Sequence, residues 1–152
     1  MNISDEINIE KASIKDSEEI YALEQICFDE DAFSKKQFIY LVKKSKSEFV
    51  VVRKGGKIIA YLIVLKRKNS KHYRIYSIAI LPEARGLGIG KRLLEYAEKT
   101  ALKNNTHKIS LEVNENNYAA IHLYAKHGYL KVGYRLGYYA DGSPALIMTK
   151  EF

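Results

Sequence analysis

Arg85-Gly86-Leu87-Gly88-Ile89-Gly90-Lys91-Arg92 sets three alternating glycines among cations, directly after a β-rich run and directly before a helical pattern. Glycine permits positive φ angles and lets a ligand approach the main chain closely. The first N–H groups of a helix lack intrahelical acceptors and, helped by the helix dipole, bind anions. Arg85, Lys91 and Arg92 add mobile positive charge. The combination suits phosphate, in particular pyrophosphate. The plain alternative is a tight turn without a ligand. The Walker A pattern does not fit, because the positions it requires as glycine and as Ser or Thr hold Arg85 and Arg92. The dinucleotide fingerprint G-x-G-x-x-G fails too, since Gly86, Gly88 and Gly90 alternate. The pattern [Q/R]-x-x-G-x-[G/A] is met by Arg85, Gly88 and Gly90.

A second chemical candidate is Glu112. Leu111 and Val113 flank it, so strand alternation turns it to the opposite face. A carboxylate in a β-rich run is either a solvated charge or a group with a task, such as removing a proton. Asn117 and Tyr124, seven apart, share a helix face with Ala120 and Ile121. Asn117 also reads as the cap of its own helix and Tyr124 as an aromatic core residue. Cys27 ends an apolar helix and reads as packing. His72, His107, His122 and His127 show no metal-ligand spacing, and no metal is expected.

The elements that must position these groups alternate along the chain, which argues α/β or α+β. A strand is expected over 8–12, then a helix capped by Asp16 or Ser17 and running to Cys27 with Ile20, Leu23 and Ile26 on one face. Ser34-Lys35-Lys36-Gln37 has the form of a capping box and opens a helix to about Lys44. Runs 48–54 and 57–66 flank Gly55-Gly56, a hairpin signal. A third run, 73–81, stops at Pro82. Leu93, Leu94, Ala97, Ala101 and Leu102 give the helix after the glycine loop its apolar side. A strand over 108–113, a helix over 117–127 ended by Gly128, and strands over 129–134 and 145–149 complete the chain.

With 152 residues, 47% hydrophobic and 28% charged, the chain has the size and composition of a single globular domain. The apolar runs are shorter than a membrane span, and the first residues carry acids and no apolar core of a secretory signal. One cysteine excludes an internal disulfide, and the cytoplasm is the expected compartment. The net charge of +7 attracts polyanions. Clusters at Lys43-Lys44 and Lys66-Arg67-Lys68 lack the aromatic-plus-basic or helix-turn-helix pattern of a nucleic-acid binder, so nucleic acid is not the expected partner.

The stretch Ile78-Ala79-Ile80-Leu81-Pro82-Glu83-Ala84-Arg85-Gly86-Leu87-Gly88-Ile89-Gly90 resembles the acetyl-CoA motif of the GNAT superfamily of N-acetyltransferases. Leu111-Glu112-Val113, Asn117, Ala120, Leu123-Tyr124 and Gly128-Tyr129 are similar to a block of the ribosomal-protein-alanine and protein N-terminal acetyltransferases. Tyr138-Tyr139 and Ala145-Leu146-Ile147-Met148 resemble their C-terminal block.

The resemblance implies a GNAT fold: a mixed sheet of six to seven strands, about four helices, and a V-shaped splay between the fourth and fifth strands. It implies that Ile78, Ala79 and Ile80 hold the pantetheine arm of acetyl-CoA, with a backbone N–H near Ile78 as oxyanion donor. Arg85, Gly86, Leu87, Gly88, Ile89, Gly90 and Lys91 would hold the pyrophosphate, and Asn117 would contact the pantetheine amide or orient its helix. Glu112 would act as base and Tyr124 as acid toward the departing thiolate. Phe28, Phe33, Tyr138 and Tyr139 would line the acceptor side, although Ala32-Phe33-Ser34 lacks the proline that relatives often carry there. The implied activity is acetylation of a protein or peptide N-terminal α-amine by direct attack. A small-molecule amine, polyamine or lysine is the rival acceptor, with Asp29, Glu30 and Asp31 in its favour, and a silent acetyl-CoA-binding module is the non-enzymatic alternative. Monomer and homodimer are both compatible.

Overall fold

In the computed structural model, residues 6–28, 34–43, 47–66 and 72–152 are described. They form seven strands and four α-helices: β1 Ile7–Lys11, α1 Ser17–Phe28, α2 Lys35–Lys43, β2 Ser47–Lys54, β3 Lys57–Lys66, β4 Tyr73–Ile80, α3 Ile89–Lys103, β5 Lys108–Asn114, α4 Tyr118–Lys126, β6 Leu130–Arg135 and β7 Ala145–Glu151. The strand order is β1-β2-β3-β4-β5-β7-β6. β1 lies antiparallel to β2, β4 parallel to β5, and β7 antiparallel to both β5 and β6. The mixed α/β architecture expected from the sequence is present.

The described residues of Met1–Val64 and Ser77–Ile89 form one compact unit, and Leu65–Tyr76 with Gly90–Phe152 form another. In the first, β2 and β3 are joined by Gly55-Gly56, with φ values of 58° and 82°, as the two-residue hairpin requires. β3 is apolar on both faces and buried from Ile58 to Val64. The α2 capping box is formed: Ser34 N–H donates to Gln37 Oε1 at 2.8 Å and Gln37 N–H to Ser34 Oγ at 3.2 Å.

Two expectations about α1 are corrected. Its entry is a 3₁₀ turn, Ile14–Asp16, with Ser13 at the N-cap; Asp16 Oδ2 accepts from Ser13 N–H at 2.8 Å, and Asp16 also pairs with Arg53. Asp16 therefore supports the cap from inside the turn. Ile26 is 62% exposed, while Ile20, Leu23 and Glu24 are buried. Six residues on from Ile20 is about 240° around a helix, off the buried face, whereas Glu24 at i+4 falls on it.

The second unit is built on β5, β7 and β6. Seven consecutive pairs join β5 to β7, from Lys108↔Glu151 to Asn114↔Ala145. Ile109, Leu111, Val113, Leu146 and Met148 are buried, as are Leu93, Leu94, Ala97 and Ala101 of α3. Leu102, expected in that apolar face, is 45% exposed because it lies nine residues, or about 180°, from Leu93. Gly128, with φ 91°, ends α4 as anticipated. The parallel ladder of β4 with β5 comprises three pairs, Tyr73↔Ile109 to Ile75↔Leu111.

Candidate active site

The glycine loop is local in sequence. After β4, Leu81 N–H bonds Ile59 O at 2.9 Å, and a 3₁₀ turn over Pro82–Ala84 brings the chain to Arg85. Gly86 and Gly88 have φ values of 86° and 75°, in the region L side chains avoid, and neither has an atom within 4 Å of where a Cβ would stand. They are thus glycines for backbone conformation and access, not for packing. Arg85, Gly86, Leu87 and Gly88 are exposed, Ile89 and Gly90 are buried as the helix begins, and Lys91 is exposed again. The start of a 15-residue helix, the exposed cations Arg85 and Lys91, and glycines with open space at their Cβ positions fit a pyrophosphate group, although Lys91 Nζ also lies 4.0 Å from Glu95 Oε1. On β4, Ala79 is buried, while Ile78 and Ile80 are half-buried. Cys27 Sγ lies 3.7 Å from Ile80 O, and burial pushes its thiol up, against a nucleophilic role.

In the second unit, strand register gathers a polar cluster on one sheet face. Arg74 stands opposite Ser110, and Glu112 is the next residue on that face of β5. Glu112 stands opposite Ile147, which stands opposite Gly133, and Arg135 is the next residue on that face of β6. From there Arg135 reaches across β7 to Glu112: its Nε donates to Oε1 at 2.8 Å. Arg74 Nη2 approaches Oε2 to 3.2 Å, an ion-pair contact short of an aligned hydrogen bond. The Glu112 side chain is only 8% exposed. Arg74 also donates to Tyr138 OH at 3.2 Å, and its guanidinium lies 5.9 Å from the Tyr76 ring centre. Burial first, and the neighbouring Glu112 carboxylate second, push the Tyr138 hydroxyl up. Tyr138 and Tyr139 meet edge to face at 4.9 Å.

Tyr124 is 5% exposed, and burial raises its hydroxyl well above the ordinary value, with Tyr139 adding to the shift. Asn117 is the exposed N-cap of α4, accepting from Ala120 N–H at 3.2 Å. Phe28 is half-buried at the end of α1. Phe33, with 29–32, lies outside the described residues, as do Lys44 and the Arg67-Lys68 pair. His72 Nε2 is 2.7 Å from Ser110 Oγ. Among the described residues, no group of three or more metal-ligand side chains occurs, and no helix is long and apolar enough to cross a membrane.

The structure therefore brings Glu112 together with Tyr138, and Tyr124 near Tyr139. Arg74 and Arg135 are the members that sequence reasoning missed. The signal was present: Arg74 interrupts a β-rich run in the same alternating way that singled out Glu112.

Residues 16–129 match the model of the acetyltransferase (GNAT) family. The chain belongs to this family. It is 31% identical to an N-alpha-acetyltransferase of Sulfurisphaera tokodaii, over 95% of this chain and 92% of that one. The crystal structure of the ribosomal-protein-S18-alanine N-acetyltransferase from Escherichia coli superposes with a TM-score of 0.84 at 26% identity, covering 96% of this chain and 94% of that one. Ard1 from Thermoplasma volcanium gives a TM-score of 0.88 at 25% identity, with 95% and 97% covered. This GNAT protein is an acetyltransferase, with the family's fold along nearly its whole length.

Proposed function

We propose that the protein transfers acetyl from acetyl-CoA to the N-terminal α-amine of a protein or peptide. The observation that carries this reading is the near full-length likeness to an N-alpha-acetyltransferase. Acetyl-CoA supplies the acetyl group as an activated thioester. Arg85 to Lys91 bind its pyrophosphate through main-chain N–H groups and cationic side chains, and the main chain of Ile78, Ala79 and Ile80 binds its arm, with an N–H near Ile78 facing the reacting carbonyl oxygen. Asn117 orients α4 through its cap and contacts the arm.

On the acceptor side, Tyr138 and Tyr139 flank the peptide. Glu112 Oε2, buried and without an aligned hydrogen bond, accepts the ammonium proton directly or through a water. Tyr124 meets the departing sulfur. Its raised hydroxyl, set against a thiol near 8.5, favours donating a hydrogen bond to the thiolate over full proton transfer.

The acceptor's own chemistry favours an α-amine. With a pKa near 7.7–8.0, roughly one α-amine in ten is neutral at pH 7, against about one lysine in 2,500. A single carboxylate then suffices as base. The test is intact-mass analysis after incubation with acetyl-CoA and peptides with free N-termini, N-blocked lysine peptides, and spermidine. One added acetyl on free N-termini alone is the expected result. Modification of blocked peptides or spermidine alone would refute the α-amine assignment.

A further inference from the structure

The Glu112 cluster holds more positive charge than its carboxylate cancels. Two guanidiniums, Arg74 and Arg135, meet one carboxylate. An arginine offers five N–H donors in a planar fork. Arg135 commits Nε to Glu112, and its side chain is 54% exposed. Arg74 commits Nη2 to Glu112 and Tyr138, while its buried Nε has no hydrogen-bond partner, and its side chain is 38% exposed. Partly exposed guanidiniums already fixed by a carboxylate are pre-organised to receive a second one through their remaining Nη donors, whereas the buried Arg74 Nε is out of a ligand's reach.

Resting on the α-amine reading above, we propose that Arg74 and Arg135 are specificity-determining residues that select acceptor peptides carrying a carboxylate side chain at the second or third residue. An extended peptide advances about 3.3 Å per residue. With its amine at Glu112, the next side chains along it fall within reach of the two guanidiniums that touch Glu112. The same net positive charge disfavours lysine beside the amine, and disfavours polyamines, through like-charge repulsion.

The experiment compares kcat/KM for free-N-terminal peptides that differ only at the second and third residues, both Glu, both Gln or both Lys, in the unchanged protein and in Arg135→Glu. Spermidine and an N-blocked peptide are run alongside. The unchanged protein is expected to favour the Glu peptide over the Lys peptide by roughly tenfold or more, the scale of one charge-assisted contact. That ratio should shrink as salt is raised and should invert in Arg135→Glu. The ratio is the readout because damage to folding lowers all peptides together. Arg74→Gln should reduce the preference without inverting it. Equal use of the three peptides, or a ratio unmoved by either substitution, would overturn the inference while leaving α-amine transfer intact. Acetylation of spermidine or blocked peptide with no free N-terminus accepted would overturn both.

Discussion

Glu112 keeps one buried carboxylate oxygen without an aligned hydrogen bond, while its other oxygen is anchored by Arg135. One oxygen fixes the group, and the other, 3.2 Å from Arg74 Nη2, is the one we propose as the base. Replacing Glu112 by Gln keeps shape and removes basicity. kcat/KM for the peptide is expected to fall by about 10²- to 10⁴-fold with the KM for acetyl-CoA little changed; an undiminished rate would place the base elsewhere. Tyr124→Phe tests the other end of the reaction. Burial holds the Tyr124 phenol protonated above its ordinary range, so the loss in rate should be the same at pH 6.5 and pH 9. A loss that grows toward high pH would mean a phenol titrating within that span.

At the scale of elements, the short link from β4 through the 3₁₀ turn to α3 is where we propose that the pyrophosphate binds. Gly88→Ala meets no steric obstacle but must adopt φ near 75°. The expected cost is about 1–2 kcal/mol in stability, with weaker acetyl-CoA binding measured by calorimetry. Unaltered affinity and melting temperature would show that the left-handed turn is dispensable. This loop, its flanking strand and the Ser34 capping box were legible because each depends on a few neighbouring residues. Alternation along one strand set Glu112 on the face opposite Leu111 and Val113, while the family resemblance singled it out as the candidate base. The Arg135 contact was not legible, since it depends on the register of β5 and β6 across β7. Ile26 and Leu102 were misplaced by reading apolar type without counting angle, and Glu24 took the buried position instead.

Over the whole molecule, buried phenols set a limit at alkaline pH. Tyr124 and Tyr129 are both buried, and burial is the first cause of the raised hydroxyl in each, with Glu98 adding at Tyr129. Unfolded, these groups titrate near 10. Below that pH their contribution is complete; as pH rises from about 10 toward the folded values, the unfolded chain sheds protons that the folded chain keeps, and stability falls. Melting followed by circular dichroism should show a steeper decline above pH 10 in the unchanged protein than in Tyr129→Phe. Parallel declines would mean the phenols titrate alike in both states.

The strand order carries a timing consequence for synthesis. β6 is made before β7, yet β7 is its sheet neighbour and lies between it and β5. At about 5–20 residues per second, the sixteen residues from Arg135 to Glu151 take roughly 1–3 s to add. For that interval on the ribosome, Leu130–Arg135 has no template to pair with. The Glu112 carboxylate that Arg135 holds is made earlier still, and it waits for that partner strand.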